Sequence, residues 1–191
     1  MSIFKKIEYN APVTLTFSLI SLIVLILYYL IGDGFLSFVA MTYKDSLLNP
    51  MMYVRLITHI FGHLGWEHFL GNMSYILLLG PMVEEKYGSE KLLVMVLTTA
   101  LIAGILNNLF FSNIALCGAS GIVFMLIVLS SVTSVEKGKL PLTLVLVIVI
   151  YLGAEIYNAI MITDSISQFT HIVGGICGSI FGLVSDKNKK V

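Results

Sequence analysis

The dominant pattern along the chain is a series of long apolar runs separated by short polar stretches. A helix needs about twenty mostly apolar residues to cross a ~30 Å hydrocarbon core. The runs are continuous and lack the period-two alternation of membrane β-barrels. The sequence therefore predicts an all-α, six-transmembrane-helix bundle, with spans at about Val13–Ile31, Trp66–Val83, Leu92–Phe111, Ala119–Val135, Pro141–Tyr157 and Phe169–Val184.

The first of these runs follows a basic pair, Lys5-Lys6, and begins just after Pro12. It is too long for the core of a signal peptide, and no convincing small-residue cleavage site follows it. We therefore interpret it as a retained membrane anchor.

Composition excludes the main alternatives to a membrane protein. Charged residues are 12% of the 191, against roughly 25% in an ordinary soluble domain, and hydrophobic residues are 58%. Too few polar side chains remain to cover a water-facing surface, while disorder needs low hydrophobicity. The formal net charge is zero, so no nucleic-acid partner is expected, and two cysteines do not make a disulfide framework.

The placement of basic residues predicts the orientation. With the amino terminus in the cytoplasm, nine of the eleven lysines and arginines fall in cytoplasmic segments, and only Lys44 and Arg55 fall outside. This asymmetry follows the positive-inside rule. We expect one membrane domain over residues 1–191, with a cytoplasmic segment at 1–12, a basic tail at 186–191 and both termini inside. The outside segment 32–65 is predicted to be a structured loop against the outer leaflet, not a seventh span.

Polar residues inside a membrane are costly and are therefore candidates for function. The first group, at the start of the second span, is His59, His63, His68 and Asn72. Three histidines are able to bind zinc, but no His-Glu-x-x-His and no acidic or cysteine ligand at suitable spacing accompanies them. A structural, hydrogen-bonded role for His59 or His63 stays open. We predict no metal and no cofactor.

The second group is Gly118-Ala119-Ser120-Gly121, where the fourth span begins. One interpretation is helix packing, because small residues let membrane helices approach closely. The other is chemical: a serine in the first turn of a helix lies beside unpaired N–H groups and a positive dipole end, which would stabilise an oxyanion.

The third group is His171 with Gly174, Gly178 and Gly182 on the sixth span. Offsets of three, seven and eleven residues place these glycines on the face of the histidine. Such a stripe is typical of close helix packing, and if the partner is the fourth span, His171 meets Ser120. Both residues fall in the outer part of their predicted spans, so their depths match.

Together these residues resemble the rhomboid family of intramembrane serine proteases, over roughly residues 50–185. Four signatures occur in the family's order: Arg55 with His59, His63, His68 and Asn72; Glu84 to Gly88; Gly118 to Gly121; and His171 with its glycines. Two positions depart from the family pattern: Phe124 replaces a tyrosine, and Val54 precedes Arg55 where tryptophan is common.

The resemblance implies a role for each matched residue. Ser120 is the expected nucleophile and His171 the expected general base and acid, while His68 and Asn72, with the Ser120 backbone N–H, form the oxyanion hole. The supporting positions are Gly118, Phe124, whose ring could still stack on His171, and His63. Asn107 and Asn108 are expected to keep the site polar.

The implied substrates are transmembrane segments of single-span proteins, cleaved near the outer face. They would enter past the second and fifth spans, with residues 158–168 as a mobile cap. The expected location is a bacterial plasma membrane, and the oligomeric state stays open. Two other classes are considered: a non-catalytic rhomboid-like escort factor, which usually lacks the serine or the histidine, and a transporter, which should show internal repeats. Glu155 and Asp164 receive no role.

Overall fold

A computed structural model of the protein describes residues 8–111, 114–132 and 165–187, together with positions 142, 145, 146 and 149. The fifth predicted span, apart from those four positions, lies outside the described residues. So do Glu155, Asp164, the first seven residues and the last four.

Seven α-helices form the described part of the chain, which contains no β-strand beyond a single bridge between Thr42 and Leu116. The all-α prediction is therefore confirmed for these residues. The helices are α1 (Pro12–Ile31), α2 (Asp33–Val39), α3 (Pro50–Thr58), α4 (Trp66–Tyr87), α5 (Ser89–Phe110), α6 (Ser120–Val132) and α7 (Ser165–Lys187), with a 3₁₀ turn (His59–Phe61) between α3 and α4.

Five of these helices, α1 and α4 to α7, coincide with predicted spans. Among the described residues, α1 and α5 are both long and apolar enough to cross a membrane, and α6 and α7 contain shorter apolar stretches. α4 continues four residues beyond the predicted end at Val83, despite Pro81 inside it. The physical reason is Glu84: it is only 4% exposed and has bonding partners on another helix, so the last turn of α4 is held in the fold.

Glu84 joins the end of α4 to the start of α1. Its carboxylate accepts hydrogen bonds from the backbone N–H groups of Val13 (2.8 Å) and Thr14 (3.0 Å) and from the Thr14 hydroxyl (2.8 Å). The first N–H groups of a helix have no partner within that helix, and Ala11 at the N-cap offers no side-chain acceptor. A carboxylate from 70 residues away therefore caps α1.

Segment 32–65 is structured, as predicted, and contains α2, α3 and the 3₁₀ turn. Arg55 is 2% exposed, forms an ion pair with Asp45 and lies 4.2 Å from the centre of the Tyr43 ring. The backbone N–H of Ser46, and after it Arg55, holds the pKa of Asp45 below its usual value of 3.8. A buried guanidinium with a carboxylate and an aromatic face as partners fixes this segment on α3.

The core lies around α6, which packs against α4, α5 and α7. Its side chains Met125 and Leu129 are completely buried, as is Ala119 just before it. α4, α6 and α7 all begin at one end of the bundle, called here the site end, and α1 and α5 finish there. The site end therefore gathers the start of α6, the start of α4 and the first turns of α7.

Candidate active site

The segment before α6 is held in an extended form by backbone hydrogen bonds. Thr42 and Leu116 exchange two N–H···O bonds of 2.9 and 2.8 Å, and the N–H of Gly118 donates to the carbonyl of His59 at 3.0 Å. Gly118 itself has φ +130°, a conformation that side-chain-bearing residues rarely adopt. This local geometry turns the chain sharply into α6.

Gly118 lies against the first turns of α4. A Cβ atom at Gly118 would be 2.7 Å from Nε2 of His68 and 4.0 Å from Nδ2 of Asn72. The Asn72 amide nitrogen is buried and has no hydrogen-bond partner within the described residues. Two side chains that are able to donate hydrogen bonds therefore lie beside the backbone that leads to Ser120.

Ser120 is the first residue of α6 and is half-buried. The carbonyl of Ala119 accepts the N–H groups of Ile122 (2.9 Å) and Val123 (3.0 Å), so the helix starts immediately at the serine. Ser120 thus lies in the first turn, where backbone N–H groups and the helix dipole favour negative charge.

Near the start of α6, the backbones of α6 and α7 are in direct contact. A Cβ at Gly174 would collide with the carbonyl group of Gly121, whose carbon would be only 2.9 Å away, and a Cβ at Gly121 would meet the Thr170 methyl group at 3.0 Å. Ser120 adjoins Gly121 in sequence and His171 adjoins Thr170, so this contact brings the two turns that carry them together.

The His171 ring stacks on Phe124, one turn further along α6. The ring centres are 4.1 Å apart and the planes differ by 9°. The site end therefore groups Ser120, His68, Asn72, His171 and Phe124, all five of which the sequence analysis selects.

His59 and His63 occupy buried positions behind this group. Each ring makes a hydrogen bond to a backbone carbonyl: His59 Nε2 to Ala100 and His63 Nδ1 to Phe61, both at 3.1 Å. Burial lowers the pKa of both histidines to about 4, so both are neutral at pH 7.

The His63 ring packs against the first turns of α4. The ring meets His68 edge-on with 5.0 Å between centres, and it meets Phe69 in the same way at 5.5 Å. These contacts restrict the orientation of the His68 ring. Within the described residues, no three His, Cys, Asp or Glu side chains are grouped so that they could hold a metal ion.

Two asparagines at the end of α5 hold the segment before α6. Asn107 Nδ2 donates to the carbonyl of Ile114 at 3.2 Å, and Asn108 Nδ2 donates to the Thr42 hydroxyl at 3.1 Å. That these residues also keep the site polar stays a prediction, and their observed bonds hold the loop segments together. Nothing in the sequence points to Thr42, because an isolated threonine in a loop gives no signal.

Comparison with known proteins identifies the family. The family model of the Rhomboid domain matches residues 50–187, well over half of the chain. The chain therefore belongs to the rhomboid family, whose characterised members include intramembrane serine proteases, and the predicted resemblance is confirmed.

Particular relatives carry the name Rhomboid protease GlpG. Those from Yersinia enterocolitica serotype O:8 / biotype 1B (strain NCTC 13174 / 8081), Yersinia pestis (strain Pestoides F) and Yersinia pseudotuberculosis serotype O:3 (strain YPIII) are each 29% identical to this chain over 182 residues. The match covers 93% of this chain and 64% of each relative, so the chain spans less than two thirds of their length.

Proposed function

We propose that the protein is an intramembrane serine endopeptidase that cleaves transmembrane segments of single-span membrane proteins with a Ser120–His171 dyad. The observation that carries this proposal is the contact between α6 and α7: it brings a first-turn serine and a histidine stacked on Phe124 to the same end of the bundle. Family membership and the protease relatives point in the same direction.

In this proposal a neutral His171 takes the proton of the Ser120 hydroxyl as the oxygen attacks the peptide carbonyl. The histidine then gives that proton to the leaving amine, and water hydrolyses the acyl-enzyme by the same steps. Stacking on Phe124 restricts the histidine ring to one plane, so that little reorganisation is needed when the proton moves.

The oxyanion is assigned to His68, Asn72 and the backbone N–H of Ser120. Support comes from the position of Gly118, since a Cβ there would crowd the His68 ring and would lie in van der Waals contact with the Asn72 amide. The unpartnered Asn72 amide is a donor already buried and free of competing bonds among the described residues. Losing one such donor typically costs about 10²–10³ in turnover.

The proposed topology has six spans with both termini in the cytoplasm, and the site end faces outward in a bacterial plasma membrane. Five described helices coincide with predicted spans, and the basic residues are distributed accordingly. A site near the outer face lets water reach the acyl-enzyme, while the substrate's transmembrane segment enters from the bilayer.

The test is co-expression with single-span reporter proteins, comparing the wild type with Ser120→Ala and His171→Ala. Wild type should release the reporter's outer part, and each variant should lose cleavage by at least about 10³-fold. The double variant should lose little more, because the two groups act as a unit.

Membrane insertion and thermal unfolding of each variant should match the wild type, which separates loss of chemistry from loss of fold. Cleavage retained by Ser120→Ala would reject the nucleophile assignment. Reporter binding without cleavage by the wild type would instead indicate a non-catalytic escort factor.

A further inference from the structure

An open cavity of about 470 Å³ lies at the site end, around the start of α4. It is lined by five consecutive residues: Leu64, Gly65, Trp66, Glu67 and His68. Because His68 also contacts Gly118, two residues before Ser120, the cavity adjoins the proposed site. The cavity is therefore a candidate subsite for a substrate side chain.

Glu67 is the only residue of this lining that carries a carboxylate. It is exposed, and no hydrogen bond or ion pair engages its carboxylate within the described residues. By contrast, the Asp45 carboxylate is already bound to Ser46, Asn49 and Arg55. The cavity thus presents one carboxylate that has no partner among the described residues.

Such a charge affects binding in a predictable direction. An exposed carboxylate attracts a nearby cation and repels a nearby anion, an effect that is modest in water and is screened by salt. Glu67 also lies in the first turn of α4, where an acidic residue stabilises the helix dipole. That second effect alters stability only and does not depend on the substrate.

We propose that Glu67 determines substrate specificity: it selects substrates that carry a lysine or arginine in the segment beside the scissile bond. This inference rests on the proposed function and adds a charge requirement to it. The cation lies in the cavity next to Glu67, while the peptide carbonyl lies at Ser120.

The experiment uses the full chain in proteoliposomes and a set of single-span reporters that differ at one position. Each of the four residues on either side of the cleavage site is substituted in turn, with lysine, serine or glutamate. The measured quantity is the ratio of kcat/KM for the lysine and glutamate forms. At the position that reaches the cavity, wild type should prefer lysine by about fivefold, a preference that shrinks with added salt.

Two substitutions at position 67 test the cause. Glu67→Gln removes the charge and should bring the lysine-to-glutamate ratio close to one, while Glu67→Lys should invert it. A ratio between substrates is unaffected if a variant is only partly folded, and thermal unfolding of each variant measures the helix-dipole effect separately.

The matched control is Glu85, an exposed carboxylate on the same helix at the end opposite to the site. Glu85→Gln and Glu85→Lys should leave the lysine preference unchanged. A preference that survives Glu67→Gln, or wild-type cleavage with no charge preference at any position, overturns the inference but leaves the proposed function standing. Failure to cleave any reporter overturns both.

Discussion

Gly118 shows how one residue without a side chain shapes the site. Its φ of +130° is strained for any other residue, and a Cβ there would lie only 2.7 Å from Nε2 of His68. The same residue fixes the incoming chain through its N–H bond to His59. Backbone conformation and side-chain packing thus both require glycine at this position.

We expect Gly118→Ala to lower reporter cleavage by about 10²-fold or more, because the new methyl group displaces His68 from the proposed oxyanion hole. The strained backbone should also lower the free energy of unfolding by about 1–3 kcal/mol. Cleavage assays and thermal unfolding in detergent measure the two effects. Gly34→Ala is the control, since nothing lies within 4 Å of a Cβ there; equal activity of the two variants would contradict the prediction.

Asp45 gives the segment between α1 and α4 a defined dependence on pH. Its pKa is lower in the folded protein than its usual value of 3.8, because the Ser46 N–H and Arg55 favour the carboxylate. The resulting stabilisation is complete above that value and is lost as the pH falls through the lower, folded-state pKa.

The thermal midpoint should therefore fall as the pH is lowered below about 4, the usual pKa of an aspartate. Asp45→Asn should be less stable than wild type at pH 7 and should lose part of this acid dependence. Unfolding curves at a series of pH values measure both. Parallel pH curves for the two proteins would show that Asp45 does not contribute.

At the scale of elements, the seam between α6 and α7 positions the proposed dyad. Gly174 meets the backbone of Gly121, and Gly178 meets the backbone of Met125 one turn further along. Contact between backbones leaves no side chain to adjust, so the separation of the two helices is fixed by geometry. The stacked pair Phe124–His171 lies on the same seam.

Gly174→Ala should force α6 and α7 apart, since the nearest atoms to the new methyl group belong to backbone that cannot move aside. Overpacking of this kind costs about 1–3 kcal/mol, and a shift near 1 Å at the dyad costs about 10² in rate. Gly175→Ala is the matched control, because its nearest neighbour would be a Val128 methyl group at 3.6 Å. Similar unfolding temperatures and activities in both variants would show that the close contact between α6 and α7 does not position the proposed dyad.

At the scale of the whole molecule, the bundle is tied at both ends by polar contacts between distant segments. At the site end, Asn107 and Asn108 of α5 bind the chain before α6 and Thr42. At the other end, Glu84 binds the first turn of α1. Apolar packing has no preferred direction, whereas these hydrogen bonds join particular atoms. The hydrogen bonds therefore determine which helix ends meet.

Glu84→Gln should lower the free energy of unfolding by about 1.5–3 kcal/mol, because an amide offers one acceptor oxygen where the carboxylate offers two and has no charge to strengthen the bonds. Glu85→Gln, one residue along and exposed, should change it by less than about 0.5 kcal/mol. Chemical denaturation in mixed micelles measures the difference. Equal stability of the two variants would mean that the α1 cap contributes nothing.

Hydropathy by itself located the five long described helices, and local spacing selected the residues that are proposed for the site. The apolar runs located α1, α4, α5, α6 and α7, since a helix that must bury its backbone in lipid has few alternatives. The motif around Ser120 and the glycines after His171 could also be recognised in the sequence, because each motif consists of residues within one to three helical turns of one another.

Only the tertiary structure decided which distant groups meet. The approach of Gly118 to His68, the bond from Gly118 to the His59 carbonyl and the cap of α1 by Glu84 join residues tens of positions apart. Backbone carbonyls and single polar residues leave no periodic trace in a sequence. Their pairing follows from how the helices cross, and that is settled by the packing of the whole bundle.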